Sequence, residues 1–214
     1  MRKVVMFYPH IHQEAVDNAV SVLQSRWVGE GDWVQDFEHA LVEKFRFPRA
    51  LALNSGTSGL RLALAVSGAG DQPGDEVITT AMTCTATNMP ILEQRAVPVF
   101  ADIQWETGNI DPEDVKRRLT ERTRAIMCVH WGGYPCDLDE LNAIAAKHGV
   151  PVIEDAAHAL GAVYRGHPVG GISAYTMFSL QAIKQLTSVD GGVLVCRDEE
   201  KHHEARIRRW KSVV

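Results

Sequence analysis

The fold of this 214-residue chain is decided by residues 175–196, which read YTMFSLQAIKQLTSVDGGVLVC. Two apolar runs, Tyr175–Leu180 and Gly192–Cys196, flank a loop that holds one lysine, Lys184, among mostly uncharged residues. Continuous apolar runs of this kind are typical of strands that are buried on both faces of a sheet. The stretch therefore predicts two buried strands joined by a loop. Poor solvation would lower the pKa of the lysine in that loop and make its amine nucleophilic, as Schiff-base chemistry requires.

Similar apolar runs recur along the chain and alternate with helical patterns. The other predicted strands are Ala50–Leu53, Glu76–Thr80, Val97–Ala101, Arg124–His130 and Val150–Asp155. The predicted helices are Ile11–Gln24, Asp32–Phe45, Ser58–Ser67, Thr85–Gln94, Asp111–Leu119, Asp137–His148 and Asp198–Trp210. This alternation predicts an α/β fold with three layers, α/β/α, around a mostly parallel mixed sheet of about seven strands. We expect residues 1–49 to form a helical segment that packs on a large domain, residues 50–214.

Composition excludes several classes of partner. The chain has 22 basic and 27 acidic residues, a net charge of −5. This balance argues against binding to nucleic acid or to an anionic membrane surface. No apolar run approaches the ~20 residues that span a bilayer, and the apolar part of residues 1–10 is too short for a signal peptide. The four cysteines form no Cys-x-x-Cys pair, so we expect reduced thiols in a cytoplasmic protein.

A glycine-rich segment, residues 54–59 (NSGTSG), follows one predicted strand and precedes a predicted helix. Glycine permits close approach of the backbone, and the amides at a helix N-terminus bind anions. The segment fits neither the dinucleotide fingerprint nor the Walker loop, so a single phosphate monoester is the ligand that it suits. Taken alone, the same residues are better explained as a helix cap and a tight turn.

Two acidic residues end another predicted strand in residues 152–158 (VIEDAAH). The period of two in a strand sends Glu154 and Asp155 to opposite faces of the sheet. A carboxylate at such a strand end would keep a pyridine nitrogen protonated, which is what a pyridoxal phosphate (PLP) site needs. The alternative is a strand end at which Asp155 caps the next turn. A metal site is not favoured, because three clustered ligands with suitable spacing are absent from the sequence.

Residues 130–135 (HWGGYP) close a further strand with two glycines and two aromatic residues. The segment is equally compatible with a loop that lines a pocket and with a strand-to-helix turn whose aromatic side chains lie in the core.

Taken in order, these motifs resemble those of the fold-type-I PLP enzymes, and among them the sugar-nucleotide aminotransferases of the DegT/DnrJ/StrS family. The similarity covers almost the whole chain. It includes seven motifs in the family's order: RWVGEG at 26–31, SGTSGL at 55–60, GDEVI at 74–78, PVFAD at 98–102, VHWGG at 129–133, EDAAH at 154–158 and SLQAIK at 179–184. Each motif is modest alone, and the ordered set is specific.

The resemblance implies a role for each site residue. Lys184 would bind PLP as a Schiff base and later shuttle a proton. Asp155 would pair with the pyridine nitrogen, and His158 would contact the side of the ring that bears the phenolic oxygen. The cofactor phosphate would be held by Gly56, Thr57, Ser58 and Ser179.

The chain departs from the family pattern in three places. Cys84 stands where the family usually has an aromatic residue that stacks on PLP, so that contact is expected to be weaker or to come from elsewhere. Residues 189–192 (VDGG) replace Gly-Glu-Gly-Gly, and valine in place of glycine predicts an altered turn. The sequence given also stops at Val214, where family members continue into a smaller C-terminal domain, so we expect a truncated protein or one half of a split enzyme.

The function implied by the resemblance is PLP-dependent transfer of an amino group from glutamate to a nucleotide-linked keto sugar, carried out by a homodimer. Two alternatives stay open at this point. One is a non-catalytic remnant that binds PLP. The other is an α/β scaffold without a cofactor.

Overall fold

Every strand and helix predicted from the sequence is present in the computed structural model, with ends that differ by at most two residues. The structure describes residue 5 and residues 7–210, without the side chain of Trp210; the expectation about a signal peptide and the one about the chain end therefore fall partly outside it. The helices are α1 Gln13–Ser25, α2 Asp32–Phe45, α3 Gly56–Ser67, α4 Thr85–Glu93, α5 Pro112–Arg118, α6 Leu138–His148 and α7 Glu199–Trp210. The strands are β1 Ala50–Leu53, β2 Glu76–Thr80, β3 Val97–Ala101, β4 Thr123–Val129, β5 Val152–Asp155, β6 Val163–Tyr164, β7 His167–Pro168, β8 Tyr175–Ser179 and β9 Gly192–Cys196.

Seven of these strands form one mixed sheet in the order β1-β9-β8-β5-β4-β2-β3. Strand β9 runs antiparallel to both of its neighbours, β1 and β8, and the remaining pairs are parallel. The predicted mostly parallel sheet of seven strands is confirmed. Because β1, β2, β4, β5 and β8 point the same way, their carboxyl ends lie at one edge of the sheet.

Helices cover both faces of this sheet. Along β4, Ala125 and Met127 pack into a cluster with α3, α4 and α7, whereas Ile126 and Cys128 pack into a second cluster with α5 and α6. A third cluster, beneath β8 and β9, includes Leu41 of α2. The strands therefore bury side chains in both directions, which explains their continuous apolar sequences and confirms the three-layer architecture. No helix in the described part of the chain has the length and apolarity needed to cross a bilayer.

Strand β3 is an exception to the expectation of strands buried on both faces. It lies at the edge of the sheet, and its Val97 and Phe100 are exposed. Pro98 is compatible with this place because proline lacks the N–H that a central strand must donate. The structure also adds a short hairpin, β6–β7, whose turn residues Arg165 and Gly166 both have positive φ.

The two N-terminal helices differ in how they meet the rest of the molecule. Helix α2 buries Leu41, whereas α1 has no buried residue and exposes Val16, Val20 and Leu23. Arg209 of α7 reaches back to α2, donating to Glu38 at 2.7 Å and to the carbonyl of Ala52 at 3.1 Å, and it also pairs with Glu30. The Arg209 side chain is 8% exposed, so this ion pair is largely withdrawn from water.

Candidate functional site

The loop between β8 and β9 carries Lys184 to the edge where the parallel strands end. The N–H of Leu180 donates to the carbonyl of Gly191 at 2.9 Å and closes the base of this loop. The hydroxyl of Thr187 donates to the carbonyl of Leu180 at 3.1 Å. Burial lowers the pKa of Lys184, while the nearby Asp155 and Cys84 act in the opposite direction. The net lowering is the direction needed for a nucleophilic amine.

Asp155 ends β5 and is buried. Its Oδ2 accepts a hydrogen bond from the hydroxyl of Thr87 at 2.6 Å, and its Oδ1 accepts one from the backbone N–H of Ala157 at 3.1 Å. Within residues 7–210 no lysine, arginine or histidine forms a salt bridge to this carboxylate. A buried carboxylate without a cation is costly, so the site is suited to a positively charged ligand group.

Glu154 lies on the opposite face of β5, as the period of two predicts. It accepts a backbone hydrogen bond from Ser173 at 3.1 Å, and its other oxygen is 2.8 Å from Nε2 of His130. Nδ1 of His130 accepts from the backbone N–H of Cys136 at 3.1 Å, so the ring proton is on Nε2 and is donated to Glu154. This buried pair joins the ends of β4 and β5 behind the candidate site.

The N-terminus of α3 meets the end of β8. Ser55 caps the helix by accepting from the N–H of Ser58 at 3.1 Å, and the first N–H groups of a helix have no partner inside it. A Cβ added at Gly56 would lie 3.2 Å from the Cβ of Ser179. The structure therefore brings together Gly56, Thr57, Ser58 and Ser179 as a small polar cradle at a helix N-terminus, where anions bind. The side chain of Ser55 bonds both the N–H of Ser58 and, at 3.0 Å, its hydroxyl, so the cap is compatible with an anion at the N–H groups of Gly56 and Thr57.

His158 follows β5 and is exposed at the same edge. Partial burial of its ring lowers the pKa of His158, and the charge of Lys184 lowers it further, against the influence of Asp155. Its carbonyl accepts a hydrogen bond from the side chain of Gln185, the residue after Lys184. The loop that carries the lysine is therefore tied directly to the segment that carries the histidine.

Cys84 is the N-cap residue of α4, and its side chain is exposed. It influences Lys184 electrostatically, so it lies close to the other predicted cofactor-binding residues. The aromatic residues Trp131 and Tyr134 are on the surface, and His130 is buried. The structure therefore excludes the interpretation in which the aromatic side chains of residues 130–135 lie in the core. The loop adjoins the site, because a Cβ at Gly133 would lie 2.6 Å from the carbonyl oxygen of His158.

A cavity of about 1060 Å³ lies beside this site rather than around Lys184. It runs along α3 to α7 and is lined by Asn54, Ser58, Arg61 and Arg208 among others. It shares Ser58 with the cradle but does not include Asp155, His158 or Lys184. The chemistry-bearing groups sit instead at an open edge of the sheet, so the cavity does not define the candidate site.

Sequence reasoning missed Thr87 and Gln185. Thr87 is the hydroxyl donor to Asp155, and the two residues are 68 positions apart in the chain. A threonine within a helical pattern carries no signal of its own. Gln185 belongs to the loop that carries Lys184, and its sequence context indicated no role for it.

The residues present fit PLP. A lysine amine with a lowered pKa, a buried carboxylate that forms no salt bridge in the described part of the chain, and a polar cradle at a helix N-terminus lie at one edge of the sheet. These are the three groups that a PLP site requires: one for the aldehyde, one for the pyridine nitrogen and one for the phosphate.

Known proteins are similar to this chain in sequence and fold. The chain is 39% identical over 203 residues to the UDP-4-amino-4-deoxy-L-arabinose–oxoglutarate aminotransferase of Shewanella sediminis, an alignment that covers 95% of this chain and 51% of that protein. Helicobacter pylori PseC, an aminotransferase involved in the biosynthesis of pseudoaminic acid, superposes with a TM-score of 0.91 at 32% identity over 98% of this chain and 56% of that one. Spr1654 of Streptococcus pneumoniae in its PLP form superposes with a TM-score of 0.90 at 32% identity, over 96% of this chain and 57% of that one.

The chain spans about half the length of the curated relatives it matches. The pattern of one family extends over nearly all of the chain, from residue 9 to residue 214. The ordered motifs, the seven-stranded sheet and this match agree, and the chain belongs to the DegT/DnrJ/EryC1/StrS aminotransferase family.

Proposed function

We propose that this chain is the PLP-binding part of an aminotransferase that moves an amino group from glutamate to a nucleotide-linked keto sugar. The observation that carries the proposal is the proximity of Lys184, a partly buried amine with a lowered pKa, to Asp155, a buried carboxylate that forms no salt bridge with the described residues. PLP, when bound, supplies an electron sink for the charge that develops when an amino acid loses its α-proton.

The residues of the chain have separate tasks in this proposal. Lys184 holds the cofactor covalently and then moves the proton at the reacting carbon, because its neutral amine is favoured by burial. Asp155 keeps the ring nitrogen protonated, since an anion beside it favours the charged form. When PLP is bound, Cys84 would contact the cofactor and His158 would contact the phenolic side of its ring. The phosphate would be held by Gly56, Thr57, Ser58 and Ser179, which meet at the start of α3.

The substrate class rests on the relatives. The Shewanella sediminis protein is named for a UDP-linked amino sugar and oxoglutarate. We propose the same class of sugar substrate, with glutamate as donor, for the protein to which this chain belongs. We further propose that it acts in the cytoplasm as a homodimer, and that residues 1–49 pack on a PLP-binding domain formed by residues 50–214. The burial of Leu41 and the Arg209–Glu38 ion pair support this packing.

Borohydride trapping tests the proposal. The 214-residue chain is incubated with PLP, reduced with borohydride and digested, and the modified peptide is identified by mass spectrometry. We expect a pyridoxyl group on Lys184 and none in Lys184→Ala. The matched control is Lys147→Ala, which removes an exposed lysine of α6 and should leave the labelling unchanged.

Two outcomes would contradict the proposal. Labelling of another lysine would reassign the attachment site. No PLP-dependent labelling in a folded protein would favour a scaffold without a cofactor. Release of 2-oxoglutarate from glutamate, with a panel of nucleotide-linked 3- and 4-keto sugars as acceptors, then separates an enzyme from a remnant that only binds PLP.

A further inference from the structure

We infer that Thr87 is a positioning residue that fixes the Asp155 carboxylate in the orientation needed to bind the pyridine nitrogen of PLP. The inference rests on the proposed function, because it assigns a task to a residue that acts on PLP only through Asp155. It adds a residue for which neither the sequence motifs nor the similarity to known proteins supplies a role.

The geometry of the contact is that of a strong hydrogen bond. The hydroxyl of Thr87 lies 2.6 Å from Oδ2 of Asp155, and both residues are buried, at 1% and 5% exposure. Hydrogen bonds to an ionised acceptor are shorter and stronger than neutral ones, and an O–H···O⁻ contact typically measures about 2.5–2.7 Å. The contact therefore fixes the position of Oδ2 of Asp155.

The direction of the hydrogen-bond chain is fixed by the number of protons available. Oγ1 of Thr83 lies 2.6 Å from Oγ1 of Thr87. Thr87 has a single hydroxyl proton, and an ionised Asp155 can only accept. Thr87 thus donates to Asp155 and accepts from Thr83. Thr83 lies in the bend that precedes α4, and Thr87 lies in the first turn of that helix.

Helix α4 is itself anchored, which makes Thr87 a fixed donor. The neighbouring Asn88 donates to the carbonyl of Thr80 at 3.0 Å and accepts from the hydroxyl of Thr79 at 2.8 Å. Both partners belong to β2, so the start of α4 is fastened to the sheet. Together with the Ala157 N–H on the other oxygen, Thr87 holds the plane of the Asp155 carboxylate. Each carboxylate oxygen accepts more than one hydrogen bond, so a pyridinium N–H is accommodated as well.

The test compares two ligands that differ at one atom. PLP carries the ring nitrogen, whereas its 1-deaza analogue has a carbon there and keeps the aldehyde and the phosphate. Dissociation constants are measured by spectroscopic titration for the unaltered chain, Thr87→Val, Thr87→Ser and Thr83→Val. Thermal melts of the ligand-free proteins check that each variant folds.

We expect Thr87→Val to weaken binding of PLP by about tenfold or more, because a hydrogen bond to a buried charge is lost. Binding of the deaza analogue should change by less than about twofold, since Asp155 has no partner on that ring. Thr87→Ser keeps the hydroxyl and should restore most of the affinity for PLP. Thr83→Val should give a smaller loss that is again confined to PLP, and it serves as the test if Thr87→Val does not fold.

Equal weakening of both ligands, or no weakening of either, would overturn the inference, because Thr87 would then act on general packing or not at all. The proposed function fails differently: the unaltered chain would then bind PLP no better than Lys184→Ala does. If the unaltered chain binds PLP and Thr87→Val binds both ligands as the unaltered chain does, the proposed function stands and the role of Thr87 is removed.

Discussion

Two adjacent carboxylates show how the sheet assigns different tasks to similar residues. Glu154 is paired with His130 inside the protein, and Asp155 faces the site edge with only neutral donors among the described residues. The first is a structural link between strand ends. The second keeps a negative charge available for a ligand, and this difference follows from the alternation of side chains along β5.

At this residue scale, we predict that Asp155→Asn permits PLP binding but slows its conversion by glutamate. Asparagine has a similar shape but no charge, so the ring nitrogen is no longer held protonated and the electron sink weakens. We expect a loss of about a hundredfold or more, as for other preorganised electrostatic groups. Stopped-flow absorbance of the half-reaction measures it. Asp139→Asn, at an exposed site, is the control, and a near-normal rate in Asp155→Asn would rule out this role.

A second prediction concerns the pH dependence of cofactor attachment. Only the neutral amine of Lys184 attacks the aldehyde, so the attachment rate rises with pH and levels off above the pKa of Lys184. Because burial lowers that pKa, the plateau should begin below the ordinary lysine value of about 10.4. Asp155 favours the ammonium form, so Asp155→Asn should move the plateau to still lower pH. The measurement is the initial rate of absorbance change on mixing with PLP; a plateau at or above the ordinary value would contradict the prediction.

At the scale of elements, the loop between β8 and β9 contains a strained residue. Val189 has φ of 75°, in the left-handed region that β-branched residues avoid. The family resemblance implies glycine at this position, which would adopt the same conformation without strain. Strain of this kind is frequent in loops that hold functional groups in place.

We predict that Val189→Gly raises the free energy of unfolding by about 1 kcal/mol, because glycine adopts this conformation without a steric penalty. Val189→Ala keeps a Cβ and should give a smaller gain. Urea titration followed by tryptophan fluorescence supplies the comparison. If glycine left stability unchanged or lowered it, Val189 would not occupy the left-handed region in solution.

The elements also show how far sequence reasoning extends. Apolar runs identified the strands of the main sheet because burial on both faces leaves a continuous hydrophobic pattern. They did not reveal that β3 is an edge strand, since the order of strands depends on contacts distant in sequence; Pro98 was the one local signal. The order of motifs predicted Lys184, Asp155 and the cradle residues, whose assignment to PLP stays a prediction. Thr87 was not found, because its partner lies in a different motif.

At the scale of the whole molecule, Arg209 connects α7 with α2 and with the motif near residue 30. Arg209→Ala would leave Glu38 and Glu30 in a partly buried place without their cation. We predict a loss of about 2–4 kcal/mol in the free energy of unfolding. Arg208→Ala removes the adjacent arginine, which is half-exposed and paired with Glu204, and should cost less than about 1 kcal/mol. If denaturant titration gave the same loss of stability for the two variants, the ion pairs of Arg209 would not be what holds the N-terminal segment.

The position of β9 has a consequence for the order in which the molecule is made. Among the described strands of the main sheet, β1 has β9 as its single partner, and the paired residues Ala50 and Val195 are far apart in the chain. During synthesis β1 therefore has no neighbouring strand to pair with until β9, which lies between β1 and β8 in the sheet, has left the ribosome. A Cβ at Gly192 would lie 2.4 Å from the carbonyl oxygen of Ser55, so β9 also packs directly against the start of α3. Long-range pairing of this kind slows folding, and a nascent chain cannot present its anion cradle beside Lys184 until nearly all of its described residues have been translated.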